Sequence, residues 1–284
     1  MITLTDGRAM QFLQTGAHEG SAVFFLPGCP DSRLVARTGE DAAMRLGIRV
    51  VAVNRPGYGA SDPHASDHLT VADDVVEVAD QLGVDRFAVL GMSVGGPYAL
   101  ACAARHPQRV TAVAVVAAPA MQPHRDDLAP AQQELFARAA RGTIAAAVEL
   151  FRAEFEEFVD SMELGGDDDG LAVRWAHGLP GSDRALLTTR PAAELAASAR
   201  EALACPGGYL RDAAVTFRPW AFDPSEVTCP TWLWYGGLDD NAPPRNGHWL
   251  ADRIPQAALT VLPDTTHLGT LIAHWDEVLR PLAG

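Results

Sequence analysis

The chain has 284 residues, about half of them apolar, and a formal net charge of −14. That length suits one α/β domain carrying an insertion, and the acidity, with no basic stripe to offset it, excludes nucleic acid as a partner. All 22 basic residues are arginine, which excludes a Schiff-base lysine, a P-loop lysine and a Ser-Lys dyad.

Residues 1–16 read as two short strands around the Asp6-Gly7 turn signal. Ser21 to Leu26 is an apolar strand, followed by a Gly- and Pro-containing loop from Pro27 to Arg33. Leu34 to Leu46 has helical spacing, and Ile48 to Val53 is a second buried strand that runs into Asn54-Arg55-Pro56-Gly57-Tyr58-Gly59. A helix over Val71 to Leu82, a strand over Phe87 to Leu90, a helix over Pro97 to Arg105 and a strand over Val110 to Ala118 continue the alternation. Strands apolar on both faces that alternate with helices predict a parallel sheet covered on both sides. Ligands of such sheets sit outside the carboxyl ends of the strands. The loops after residues 26, 53, 90 and 118 are therefore the places to look for chemistry.

From about residue 120 to 225 the pattern changes to Ala-rich helical stretches: Ala131 to Glu163, Asp183 to Leu187, Ala192 to Leu203 and Tyr209 to Phe217. The acidic cluster from Glu154 to Asp169 reads as a solvated helix face and loop. Alternation returns with strands at Thr231 to Tyr235 and Ala258 to Leu262, a helix between them, and a last helix to Leu282. No apolar run reaches the roughly 20 residues of a membrane span, and the N-terminus has no signal pattern. The spacing of Cys29, Cys102, Cys205 and Cys229 suggests neither a zinc site nor a redox pair. Reduced thiols, a cytoplasmic location, no membrane partner and no metal or other cofactor are expected.

Gly91-Met92-Ser93-Val94-Gly95-Gly96 falls between a strand and a helix. In that setting a Gly-x-Ser-x-Gly stretch makes a tight turn that lifts a nucleophilic serine above the sheet, beside a helix N-terminus. Ser93 is the predicted nucleophile. A serine hydroxyl needs a base. Of nine histidines, His267 alone follows the last strand and precedes the final helix, so it is the predicted base. The imidazole needs a carboxylate to orient it. Either Asp239 or Asp240, after the strand ending at Tyr235, can serve, and Asp239 is preferred. The order Ser93, Asp239, His267 is the one expected of this arrangement. Acyl transfer also needs backbone donors aimed at the developing oxyanion. Val94 N–H is one, and Cys29 N–H, in Pro27-Gly28-Cys29-Pro30, is assigned as the other.

Together these segments resemble the α/β-hydrolase superfamily, and in particular its bacterial serine hydrolases with a helical cap. Phe25 to Arg33 looks like the family's His-Gly-x-Pro loop, with Pro27 in place of the histidine. Asn54 to Ser61 looks like its Arg-x-Gly-x-Gly-x-Ser stretch. The resemblance implies an eight-stranded, mostly parallel sheet flanked by helices, with a core at 1–120 and 226–284. It places a cap at 121–225, inserted before the last two strands. It implies a carboxylesterase-like enzyme acting through an acyl-enzyme on a small-molecule acyl substrate, as a monomer or homodimer. Serine at 93 argues against the dehalogenase and epoxide hydrolase chemistries, which use aspartate there. Relatives also include proline-type aminopeptidases, C–C bond hydrolases, haloperoxidase-like enzymes, lyases and ligand receptors. Phe136, Phe151, Phe155, Phe158, Trp175, Phe217 and Trp220 are candidate roof residues, with Trp220 the favoured wall residue.

Overall fold

The computed structural model describes residues 1–284. In chain order, β1 (Ile2–Thr3) and β2 (Ala9–Met10) pair antiparallel, and β3 (Phe12–Gly16) follows. Strand and helix then alternate through β4 (Ser21–Leu26), α1 (Glu40–Leu46), β5 (Ile48–Val53), α2 (His68–Gln81), β6 (Phe87–Met92), α3 (Gly95–Arg105) and β7 (Val110–Val116). An all-helical stretch comes next: α4 (Pro130–Ala139), α5 (Ile144–Val148), α6 (Arg152–Met162), α7 (Asp168–His177), α8 (Gly181–Leu187), α9 (Ala192–Leu203) and α10 (Pro206–Thr216). β8 (Thr231–Gly236), α11 (Pro244–Ala251), β9 (Ala257–Leu262), α12 (Gly269–Ile272) and α13 (Trp275–Leu279) complete the chain.

The main sheet has seven strands in the order β3-β5-β4-β6-β7-β8-β9. Only β3 runs antiparallel, along β5, and every other pairing is parallel. The expected count of eight strands is corrected to seven. The Asp6-Gly7 turn folds Ile2–Thr3 onto Ala9–Met10, so those two short strands bond to each other and only Phe12–Gly16 remains to extend the sheet.

The central strands are apolar on both faces because helices cover both: all six residues of β6 are buried, as are the last four of β4. They anchor a core of 51 buried residues. The all-helical stretch has a smaller core of its own, built around Phe151, Phe155, Leu171, Leu203 and Leu210. Its first part is more broken than the sequence spacing predicts. Gly142, at φ +79°, interrupts the run between α4 and α5, and α6 ends at Glu163 in a left-handed turn. Helix α7, which lies outside the predicted helical stretches, starts where the Asp167 side chain accepts a bond from Gly170 N–H at 2.8 Å. Glu154, Glu156, Glu157 and Asp160 lie on the exposed face of α6, as expected.

Topology positions the functional loops. From β4 the chain goes first to β5 on one side and then to β6 on the other. The loops leaving β4 and β6 therefore diverge at a switch point, where a crevice opens at the carboxyl edge. Register brings them level, since Leu26 at the end of β4 pairs with Gly91. Close packing of the turn after β6 depends on glycine. A β-carbon on Gly95 would press into the carbonyl oxygens of Leu26 and Pro27. Gly95→Ala is accordingly expected to cost about 1–3 kcal/mol of stability, read from urea denaturation. A variant as stable as the parent would contradict this packing.

Candidate active site

Ser93 sits between β6 and α3 with φ +50°, one of three non-glycine residues with positive φ. A left-handed serine carries strain of about 1–3 kcal/mol, which persists only where surrounding structure enforces it. Here Ser93 N–H donates to Val116 O at 2.7 Å, and Ser93 O accepts from Gly96 N–H at 2.8 Å. The turn is thereby held from both sides, at the head of α3.

His267 lies in the loop between β9 and α12. Its Nδ1 is 2.7 Å from Asp239 Oδ2. The other carboxylate oxygen accepts from the Asn241 and Ala242 amides, each at 2.9 Å. Asp239 is 3% exposed, whereas Asp240 is exposed and bonded to neither. Burial and three hydrogen bonds thus separate two adjacent aspartates that sequence alone leaves nearly equivalent. The contact at Nδ1 leaves Nε2 as the free imidazole nitrogen. The other histidines have different neighbours: His106 bonds to Asp73, His274 to Gly269 O, and His68 packs against Tyr98.

Ser93 and His267 line one cavity of about 610 Å³, together with Gly28, Cys29 and Asp31. There is no direct Ser93–His267 hydrogen bond, and in unliganded sites such contacts often tighten only with substrate. The Cys29 and Val94 amides donate to no other group of the protein, so both are free to meet a ligand oxygen. Burial pushes the Cys29 thiol up to about 12. It is therefore protonated at neutral pH and does not compete as a thiolate nucleophile.

The far wall comes from the all-helical stretch, through Phe158, Met162, Trp175, Leu179 and Leu187. Of the seven aromatic candidates, Phe158 and Trp175 line this cavity. Phe151 and Phe155 are buried in the helical core, and Trp220 lines a separate cleft with Phe222 and Trp249. The preference for Trp220 is corrected: its ring stacks on Phe222 at a centroid distance of 5.3 Å, which takes it away from the Ser93 cavity.

A buried ionic cluster behind the loop after β4 was not anticipated. Arg55 donates to the carbonyls of Pro27 and Gly28 and to Asp212 of α10. Asp212 also accepts from Arg211, Tyr58 and Tyr98 at 2.7–2.9 Å. Burial alone would raise the Asp212 carboxyl, but the Arg55 and Arg211 guanidiniums outweigh it and hold that carboxyl well below the usual carboxylate range. The loop that lacks the family's usual histidine is braced by this arginine.

The fold and the site together place the chain in a class, and sequence comparison agrees. The pattern of the family described as the alpha/beta hydrolase fold matches residues 21–272, and the chain belongs to that family. A relative similar over most of its length is the pimeloyl-[acyl-carrier protein] methyl ester esterase of Chromobacterium violaceum. It is 30% identical over 251 residues, covering 87% of each chain. A bifunctional esterase/perhydrolase of Acinetobacter calcoaceticus is 34% identical over 123 residues, covering 40% of this chain and 42% of its own. Among solved structures, an esterase from Exiguobacterium antarcticum shares the fold with a TM-score of 0.69 at 20% identity, covering 99% of this chain and 98% of that one.

Proposed function

We propose that the protein is a serine hydrolase that cleaves small carboxylic esters through an acyl-enzyme. The observation that carries this is the 2.7 Å contact of Asp239 with His267, which lines one cavity with Ser93. Similarity to an esterase along most of the chain supports the bond type.

Ser93 Oγ attacks the ester carbonyl while His267 Nε2 takes its proton. Asp239 holds the imidazole orientation and stabilises the imidazolium. The Cys29 and Val94 amides receive the oxyanion. As the tetrahedral adduct collapses, the C–O bond breaks and Nε2–H protonates the departing alkoxide. Water then attacks the acyl-enzyme, with its proton passing to His267, and the acid leaves as Ser93 regains its hydrogen. No cofactor enters these steps. Residues 121–225 act as the cap over a core formed by 1–120 and 226–284, and their apolar wall receives the acyl chain.

A fluorophosphonate probe is expected to label Ser93, and p-nitrophenyl esters to be hydrolysed with a preference for acyl chains that fill the apolar wall. Mass spectrometry of the labelled peptide and a chain-length series provide the readouts. Absence of label on Ser93, or turnover of amides but not esters, would overturn the reading.

A further inference from the structure

One carboxylate at the site has no role in the steps above. Asp31 follows Pro30 on the proposed oxyanion loop and lines the Ser93 cavity. A methyl group placed on Gly28 would lie 3.3 Å from Asp31 Oδ2 and 3.4 Å from Ser93 Cβ, so the carboxylate stands beside the nucleophile. Asp31 is half-buried, and the fully buried carboxylates are all partnered. Asp74 pairs with Arg8, Asp212 with Arg55 and Arg211, Asp239 with His267, and Asp183 accepts from Thr266, Leu268 and Gly269. Asp31 forms no ion pair within 4.0 Å and no hydrogen bond through its side chain.

A carboxylate without a protein partner opposes an oxyanion forming beside it. A proton or a cation relieves this. The surrounding wall supplies no partner. Arg55 is engaged by Asp212 and the loop carbonyls, Arg174 by Met162 O, and Arg190 by Glu194. Arg37 is exposed, and His177 lines the cavity without bonding to Asp31. Trp175, by contrast, lines both the Ser93 cavity and the smaller adjoining one, as Asp31 does. A carboxylate and an indole lining the same cavities are an ordinary means of holding an organic cation.

We infer that Asp31, with Trp175, forms a subsite for an ammonium group carried on the acyl side of the ester substrate. This rests on the Ser93 acyl-transfer reading. The cation neutralises the carboxylate during oxyanion formation, and the apolar wall receives the rest of the acyl chain. No further proton or electron transfer is involved.

Burial pushes the Asp31 carboxyl up to about 7, against the pull of Arg55 and His267. Below that value Asp31 is neutral and indifferent to substrate charge; above it the carboxylate favours the cation and opposes a neutral ester. The probes are the p-nitrophenyl ester of trimethylammonio-butyrate and its neutral isostere, in which a quaternary carbon replaces nitrogen. Their kcat/KM ratio cancels any pH effect common to the two esters. The ratio is expected to rise about fivefold or more as pH increases through about 7, as for a partly screened ion pair. Asp31→Asn is expected to give a flat ratio, and Asp31→Glu to retain part of the rise. A ratio flat with pH in the parent, or a rise that survives in Asp31→Asn, overturns the subsite. Ser93→Ala on both esters keeps the two readings apart, since only loss of the acyl-transfer reading leaves its activity intact.

Discussion

Replacing Ser93 with alanine is expected to lower ester turnover on the order of a millionfold, to little above the uncatalysed rate with bound substrate. Losses of that size follow removal of a triad serine because nucleophile and base act as one unit. The geometry adds a second reading. Alanine keeps the same backbone requirement, so the strained φ +50° at this position remains, and stability should change little compared with activity. Turnover of a p-nitrophenyl ester, beside a urea denaturation curve, separates the two effects. Retained activity would remove Ser93 from the mechanism.

The second large effect is expected at Asp212. Asp212→Asn leaves Arg55 and Arg211 buried without their counter-charge, and breaking a buried pair in this way costs about 3–5 kcal/mol. The denaturation midpoint reports the loss. The pH dependence gives a further check. The folded carboxyl of Asp212 titrates below its ordinary value of 3.8. Its stabilising contribution is therefore fully present above that pH and is lost as pH falls through the lower, folded value. The parent should lose stability with acidification below about 4 more steeply than Asp212→Asn does. Equal slopes would mean that the charge on Asp212 does not hold the cluster together. Because Arg55 also holds the Pro27 and Gly28 carbonyls, kcat should fall as well, and replacement of Arg55, Arg211 and Asp212 together by apolar residues should restore more stability than activity.

The sheet was legible because its central strands are buried on both faces and so spell out nearly continuous apolar runs, as in Val110–Val116. The Ser93 turn was legible for a related reason: a left-handed serine and the closeness of Gly95 to the β4 backbone demand particular small residues in a short span. Asp239 was separable from Asp240 only in part. The decisive facts, burial and the amides of Asn241 and Ala242, are properties of a folded loop. The helical stretch was the least legible. Its aromatic residues satisfy either of two cores or a cavity, and nothing in local spacing distinguishes Phe155, which is buried, from Phe158, which lines the site. Arg55 and Asp212 lie 157 positions apart, beyond any local pattern. Nothing in the sequence marks Asp31, because the lack of a partner is a property of the folded loop.

The position of Arg55 has a mechanical consequence. One guanidinium grips the backbone beside Cys29 and a carboxylate on α10. Helix α10, which packs against α5, α6 and α9, and the loop beside the proposed oxyanion donor are thus coupled rather than independently hinged. Any movement of α10 pulls on the same joint that holds the backbone next to the Cys29 amide. On the proposed mechanism, a substrate that displaces the helical stretch is thereby penalised in the rate of bond cleavage as well as in binding.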